Sequence, residues 1–349
     1  MLFFLLIVAI SATKWHELTQ TYDFTTYQRE FNKNYQPHEL TTRKSIFEHR
    51  MRQIIAHNSD PSKTWKQGVN KFTDMTDAEL AKFRGSRPSK VASKNSIQQN
   101  FAFDISDLTV DWREKDVVTP VKNQGKCGSC WAFAAAETLE SHYAIATGHL
   151  ENLSEQQILD CTPNPTHCGG LGGCDGATIE LAYVNIMRKG GLSSESSYPY
   201  TSFNGKNGPI CQTSKPVAKM ASFSVIEPND FYTILVRLVE HGPLAVSIDA
   251  SNWHLYESGV YDGCNKTHLD LNHAVQLVGM TNNSWIVRNS WGPEWGENGY
   301  IRLAMNPYNE KCAIDTTPQH GSGCDDGPTE ITACGTCGIL YEAVYPIIN

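Results

Sequence analysis

The chain has 349 residues, of which 40% are hydrophobic and 10% aromatic, enough apolar side chain to fill about two or three core-bearing units and to exclude disorder throughout. Its formal charge of −8 at pH 7 comes without any basic run, which argues against nucleic acid or a polybasic membrane contact, because phosphate surfaces are held by clustered Lys and Arg. The eleven cysteines are an odd number; if an oxidising compartment pairs the rest, one thiol stays free.

Residues 2–10 are an apolar run followed by Ser11 and Ala12. That is too short to span a bilayer but the size of a signal-peptide core, so 1–12 is read as a signal peptide, with a buried N-terminal strand or helix as the alternative. No later stretch reaches spanning length, and no membrane anchor is expected. From 24 to 58, apolar and long side chains recur at three- and four-residue spacing, which predicts two charged helices broken near Pro37. Residues 84–100 are rich in Ser, Lys, Gln and Asn without apolar periodicity, the composition of an exposed, cleavable linker, placed at 84–103.

Beyond the linker the chain changes character midway. Helices are predicted at 131–147, stopped by Gly148, and at 177–188, stopped by Gly190-Gly191; between them Ser154 stands at capping-box spacing from Gln157. The part from about 112 to 211 is therefore read as mainly helical. After Cys211 the apolar runs become short and β-branched or alternating, at 244–248, 273–278, 285–287 and 300–303. The part from 212 to 349 is read as mainly β.

Cys130 lies in the run Cys127-Gly128-Ser129-Cys130-Trp131, ahead of the 131–147 helix; His273, in Asn272-His273-Ala274, and Asn289, in Asn289-Ser290-Trp291, follow far downstream. A thiol attacks a carbonyl only as thiolate, and a helix N-terminus and an imidazolium both favour that anion. A lone Cys is more often a small buried hydrophobe or half a disulfide, and a lone His a satisfied core residue. The set in this order, with Gln124 six residues before Cys130, is far more specific. It resembles the papain family of cysteine proteases, and its cathepsin L-like members in particular. Glu39, Arg43, Phe47, Ile54 and Asn58 match the ERFNIN helix of that family's inhibitory propeptides, with Arg50 where the pattern has its first Asn. Gly68, Asn70, Phe72 and Asp74 match the GxNxFxD motif that follows. Without these motifs a charged helix would be read as a solvated face.

The resemblance implies an α+β, papain-like fold: a mainly helical domain and a β-barrel-like domain with the active-site cleft between them, preceded by a helical propeptide. It divides the chain into a signal peptide at 1–12, an inhibitory propeptide at 13–103 and a peptidase domain at 104–349, the mature chain beginning between 101 and 106. It implies a cysteine endopeptidase made as an inactive zymogen. Cys130 would attack; His273 would form the thiolate–imidazolium pair and protonate the leaving amine; Asn289 would orient the imidazole, with Trp291 covering that bond; Gln124 and the Cys130 backbone N–H would hold the oxyanion. Gly176, Ala177, Thr178, Ile179, Ser247, Ala274 and Glu342 would bind substrate. Glu342 would close the S2 pocket, where its carboxylate either pairs with a basic P2 side chain or points to solvent. Ala177 stands where the family usually has a Gly whose backbone bonds the substrate, and Ala restricts positive φ.

By the same resemblance Cys127 pairs with Cys174, Cys161 with Cys211, and Cys264 with Cys337, the last chosen because the segment after Cys337 runs to Tyr345-Pro346 as the family's closing segment does. Residues 304–336 then form an insertion bearing Cys312, Cys324 and Cys334, and Cys168 is a further extra; their pairing stays open. A zinc reading of Cys334 and Cys337 lacks a second CxxC at zinc spacing. No cofactor or metal is implied. The implied partners are protein and peptide substrates, the chain's own propeptide as intramolecular inhibitor, and protein inhibitors of the cystatin type, in the secretory pathway with a lysosome, a vacuole or the exterior as destination. Asn152, Asn265 and Asn282 begin glycosylation sequons, Asn265 in the most open setting. An exopeptidase of the same fold is the alternative, but 200–211 is short and has no His pair to grip a substrate carboxylate. A catalytically silent, cleft-bearing binding protein is the other; such relatives typically lack the Cys nucleophile.

Overall fold

Pro37 supplies the fixed φ of a first helical turn and lacks the N–H that such a turn leaves unused. The long helix α2 (Pro37–Ser59) starts there, after a shorter α1 (Phe24–Glu30). These elements come from a computed structural model, which describes residues 13–18, 21–85, 108–208, 210–306, 310–318 and 324–348. The signal-peptide reading, nearly all of the linker, the expected mature N-terminus and parts of the expected insertion lie outside the described residues. Phe24, Tyr27, Phe47, Met51 and Ile54 close α1 on α2, and Leu255 from the peptidase part completes that core.

Strand β1 (Trp65–Gln67) adds the N-terminal segment to the main sheet, antiparallel to β5 (Tyr256–Tyr261) with Trp65 opposite Gly259. Asn58, at the end of α2, aligns it: its side chain donates to the Gln67 carbonyl at 2.8 Å and accepts the Gln67 N–H at 2.9 Å. A last propeptide helix, α3 (Asp77–Ala81), is capped reciprocally by Thr76 and Glu79.

The helical half of the peptidase holds α4 (Cys130–Thr147), α5 (Glu155–Cys161) and α6 (Ile179–Arg188). α4 is buried over most of its surface because Ala132, Ala134, Ala135 and Ala136 let it lie close against the sheet, sharing a core with Ala245, Ala274 and Val344. It stops at Gly148, whose φ of 74° is left-handed. α6 begins two residues later than the sequence pattern suggests, because Thr178 caps it by accepting the Leu181 N–H. At α5 half of the expected capping box forms. Ser154 accepts the Gln157 N–H, while the Gln157 side-chain oxygen accepts the N–H of Ser193 at 2.8 Å.

The other half is built on β3 (Ser222–Val225), β4 (Leu244–Ile248), β5, β6 (His273–Met280), β7 (Ser284–Arg288), β8 (Tyr300–Ala304) and β11 (Ala343–Ile347), joined by β2 (Val110–Asp111). The strand order is β1-β5-β8-β7-β6-β4-β11-β3, with β2 on β6; β5 and β8 run parallel. A helix absent from the sequence reading, α7 (Phe231–His241), packs Phe231, Ile234, Leu235 and Leu238 against this sheet from a cap at Asp230. Within the expected insertion β9 (Cys312–Asp315) and β10 (Ile331–Cys334) form an antiparallel pair. Their apolar residues share a small core with Leu269 and Leu271.

Five disulfides join Cys127 to Cys174, Cys161 to Cys211, Cys264 to Cys337, Cys168 to Cys324 and Cys312 to Cys334, and Cys130 remains a free thiol. Cys334 and Cys337 thus belong to different bridges, and neither is left as a thiolate ligand for zinc.

Candidate active site

The free thiol is the first residue of α4 and has no exposed surface. Its sulfur faces the unsatisfied N–H end of a long helix, where negative charge is favoured. The strand that meets it is β6, whose first residue is His273, opposite Ile248 of β4. The backbone N–H of the next residue, Ala274, donates toward the Cys130 sulfur. Asn289, just past β7, comes beside the imidazole because β7 pairs antiparallel with β6. Its Oδ1 lies 2.8 Å from His273 Nε2. That leaves Nδ1 of His273 without a hydrogen-bond partner among the described residues, the nitrogen available to take a proton. The Trp291 ring covers the imidazole at 5.1 Å between centroids. Gln124 is fixed by Ser290, whose hydroxyl donates to its Oε1 at 2.6 Å, so that its Nε2 points at the Cys127 carbonyl at 2.8 Å and into the cleft.

The cleft is occupied by residues 83–85 of the N-terminal segment. Phe83 packs on Phe72 at 4.9 Å, which in turn meets Trp291 at 5.4 Å. The carbonyl of Phe83 accepts from Gln124 Nε2 at 3.1 Å and from the Trp291 indole at 3.0 Å, so the side-chain donor expected to serve an oxyanion is engaged. Gly85 then lies on the thiol. Its N–H donates toward the Cys130 sulfur, its carbonyl accepts the Ala177 N–H at 3.2 Å, and a Cβ there would sit 2.1 Å from the Gly128 carbonyl oxygen. No side chain fits at 85. Ala177 makes this bond to Gly85 without left-handed backbone, the positive φ of 93° falling on Gly176 instead.

Thr178, Ile179, Ser247 and Ala274 are all buried, and Glu342 is 3% exposed. The Glu342 carboxylate accepts from the Ser247 hydroxyl. It points inward, and the solvent-facing alternative does not hold.

Burial works against charge at both groups. Burial pushes the Cys130 thiol up to about 11, against the pull of the backbone N–H groups of Ala274 and Gly85. Burial pulls His273 down to about 3, opposed by the bond to Asn289 and reinforced by the charge of Arg84. Burial thus favours the uncharged form of each group.

The propeptide motif residues hold this cover in place. Asp74 accepts from Tyr27 at 2.7 Å, from Lys33 at 3.0 Å and from Tyr35. Arg43 grips both carboxylate oxygens of Glu79 at 2.5 and 2.6 Å and lies 3.5 Å from Glu39. Arg50, buried, donates to the Phe72 carbonyl at 2.6 Å. Gly68 donates its N–H to Leu255 at 2.9 Å, and Asn70 its side-chain amide to the His254 carbonyl at 2.8 Å.

Sequence reasoning passed over a buried charge cluster behind the site. Lys122 lies 2.6 Å from Glu140 and also contacts Glu155, Thr119 donates to Glu140 at 2.6 Å, and Arg288 is 3.5 Å from Glu137. Unpaired, these charges would be too costly to bury; paired, they clamp the segment carrying Gln124 and the residue before Asn289 to the back of α4. The signal was Glu137 and Glu140 inside an otherwise apolar helix.

Compared with known proteins, the family model described as papain family cysteine protease matches residues 107–321, and the model described as cathepsin propeptide inhibitor domain (I29) matches residues 24–80. Germination-specific cysteine protease 1 of Arabidopsis thaliana is 36% identical over 320 residues, covering 87% of this chain and 77% of that protein. Cathepsin L2 of Homo sapiens is 34% identical over 323 residues, covering 88% and 91%. Among solved structures, a recombinant stem bromelain precursor superposes with a TM-score of 0.73 at 33% identity, covering 93% of this chain and 98% of that one. The digestive procathepsin L2 proteinase from the larval midgut of Tenebrio molitor gives 0.72 at 28% identity, with 93% and 98% covered.

Proposed function

The chain belongs to the papain family of cysteine proteases and is a cysteine endopeptidase zymogen carrying its own cathepsin-type inhibitor domain; from that premise we propose which residues do the work. Cys130 is the nucleophile, His273 the base and then the acid, Asn289 the orienter, and Gln124 with the Cys130 N–H the oxyanion donors. The observation that carries this is a free thiol at the N-terminus of α4 beside an imidazole whose Nε2 is held by Asn289 at 2.8 Å and whose Nδ1 is unclaimed. Removal of Phe83, Arg84 and Gly85 frees the oxyanion donors, rehydrates the pair and takes away the Arg84 charge that opposes an imidazolium. The thiol can then pass its proton to His273, attack the scissile carbonyl and form the acyl-enzyme, and His273 returns the proton to the leaving amine.

Maturation cuts the chain between Arg84 and Ser106, dividing an inhibitory propeptide ending near 103 from a peptidase domain that starts near 104. The apolar run at 2–10 and five disulfides support passage through the secretory pathway, to a lysosome, a vacuole or the exterior. Among the described residues no helix is long and apolar enough to cross a membrane. Protein inhibitors of the cystatin type would compete for the same cleft. Asn265 is the favoured glycosylation site; it is exposed and its Oδ1 accepts from Thr267 of its own sequon at 3.0 Å.

Gly176, Ala177, Thr178, Ile179, Ser247, Ala274, Trp291 and Glu342 form the substrate groove, with Glu342 at the inner end of S2. A carboxylate there favours P2 Arg while the apolar walls still admit Leu. A profile of peptides cut by the processed enzyme tests the reading. It should show internal cleavage, and Glu342→Ala should lose on the order of 1–3 kcal/mol for P2 Arg with little change for P2 Leu. Acidification should erode the Arg preference as the carboxylate is protonated. Equal losses for Arg and Leu would place Glu342 outside S2, and release of terminal residues alone would make the enzyme an exopeptidase.

A further inference from the structure

Among the described residues four of the five disulfides close within one half of the peptidase. Cys127–Cys174 and Cys161–Cys211 lie in the helical half, Cys264–Cys337 and Cys312–Cys334 in the β half. Cys168–Cys324 alone crosses from one half to the other. Cys168 adjoins Gly169, which packs against Ala177 and Thr178, and Cys324 lies in the connection between β9 and β10.

On the helical side Cys168 leads into Gly169 and Gly170, which press on the back of the segment that binds Gly85. A Cβ on Gly169 would lie 2.7 Å from the Ala177 carbonyl and 3.0 Å from the Thr178 methyl; one on Gly170 would lie 2.1 Å from the Asp175 carbonyl oxygen. Two further backbone bonds, Gly172 N–H to Gly176 at 2.7 Å and Leu171 N–H to Asp175 at 3.2 Å, lock the same loop to itself. Gly169, next to Cys168, is thus packed directly against Ala177 and Thr178.

On the β side the hairpin that leads toward Cys324 holds two segments of the site. Leu269 donates its N–H to Ile314 at 2.9 Å, and Leu271 donates to the Asp315 carboxylate at 3.1 Å, two residues before His273. Leu340 donates its N–H to Cys334 at 3.1 Å, two residues before Glu342. Beside the bridge, Asp325 donates its N–H to Thr166 at 3.0 Å. The neighbouring His167–Asp325 pair at 3.0 Å is solvent-exposed and contributes little.

We propose that Cys168–Cys324 is a positioning strap for substrate recognition: it ties the loop behind Ala177 and Thr178 to the hairpin that holds the approaches to His273 and Glu342, and so fixes the width of S2. The pocket's walls come from both halves, Thr178 and Ile179 from one, Ser247, Ala274 and Glu342 from the other, so relative motion of the halves changes its shape. A covalent tie limits that motion, and a pocket of fixed width discriminates between side chains by fit. The inference rests on the S2 assignment above.

The test compares the processed wild-type enzyme with Cys168→Ser/Cys324→Ser, on peptides that differ at P2 as Leu, Phe or Val, with active sites counted by a thiol-reactive epoxide. The strap predicts that the kcat/KM ratio between favoured and disfavoured P2 residues falls by about three- to tenfold, nearly all of it in KM, with kcat on the favoured peptide within about twofold. A bridge that merely aids folding would lower the number of titratable sites and leave the ratio per site unchanged, which overturns the proposal. Gly169→Ala keeps the bridge but drives a methyl into Ala177, and is expected to shift the ratio in the same way if the double variant does not accumulate. An unchanged ratio in the variants that fold, with a wild-type preference present, overturns the strap alone. A wild-type enzyme indifferent to P2 overturns the S2 assignment and the strap with it.

Discussion

The propeptide holds the peptidase by two stretches that work differently. Its body, α1, α2, β1 and α3, has an aromatic core, the bidentate Arg43–Glu79 pair and a strand paired to β5, yet touches none of the reacting atoms. Its tail, Phe83 to Gly85, reaches the Cys130 sulfur, Gln124 and Ala177 with little more than backbone groups. Affinity and inhibition are thus separated along the chain: the body supplies burial, and the tail covers the thiol. The two should also answer acid differently. Arg43 holds Glu79 down to about 2 from an ordinary 4.5, so that contact is fully present above 4.5 and survives mild acid. Burial holds His254 down to about 3, with the propeptide's own Arg50 and Arg84 adding to it, and His273 is likewise held at about 3. A histidine kept neutral under cover gains a proton when uncovered, so between about pH 3 and its ordinary value near 6.5, acid favours opening.

The largest effect separates chemistry from grip. In the processed enzyme Cys130→Ala should cut peptide hydrolysis by on the order of 10⁶, His273→Ala nearly as much, since nucleophile and base act as a unit, whereas the Cys130→Ala precursor should keep its propeptide bound. Near wild-type turnover in Cys130→Ala would end the assignment. Next comes the body: Phe47→Ala removes a ring that meets Tyr27 at 4.9 Å and Phe24 at 5.5 Å. At about 3–5 kcal/mol for a buried Phe, the precursor's residual hydrolysis at neutral pH should rise on the order of a hundredfold or more. If latency is unaffected, the tail holds by itself and the division fails. Gln124→Ala should lower turnover about 10²-fold, the loss typical of one oxyanion donor, and should also loosen Phe83, visible as faster opening of the precursor. The smallest effect is on pH: His254→Gln should remove about one proton from the opening reaction, flattening its pH dependence by about tenfold per pH unit. An unchanged slope in a folded His254→Gln precursor would assign the acid response to other groups.

How much of this could be read from the chain depends on range. The segment at Cys130, the His and Asn strands and α2 are local patterns with strong periodicity, and the fold follows from them. α7 was also local, with Asp230 ahead of Phe231, Ile234, Leu235 and Leu238 at helical spacing, but lay in a stretch dominated by β-branched runs. β1 was not legible, because three residues become a strand only through pairing with Gly259 nearly two hundred positions away. The half-made box at Ser154 has the same cause, a tertiary partner, Ser193, outbidding a local one. Nor could spacing choose Cys324 for Cys168, at a sequence separation of 156. Within the site, the residues brought together were legible, whereas the pull of burial toward the uncharged thiol and imidazole was not, because it arises only in the folded chain.

The central claim is that Cys130 is a nucleophile held neutral and covered by the tail. It is tested most directly by timing the reaction of a thiol-reactive epoxide with the intact precursor and with the processed enzyme at the same pH. The account predicts that the precursor is nearly inert, that the processed enzyme takes up one equivalent at Cys130 at a rate at least about a hundredfold higher, as thiolate control of reactivity requires, and that Cys130→Ala takes up none. A precursor that reacts as fast as the processed enzyme, or stoichiometric labelling that survives Cys130→Ala, would contradict it.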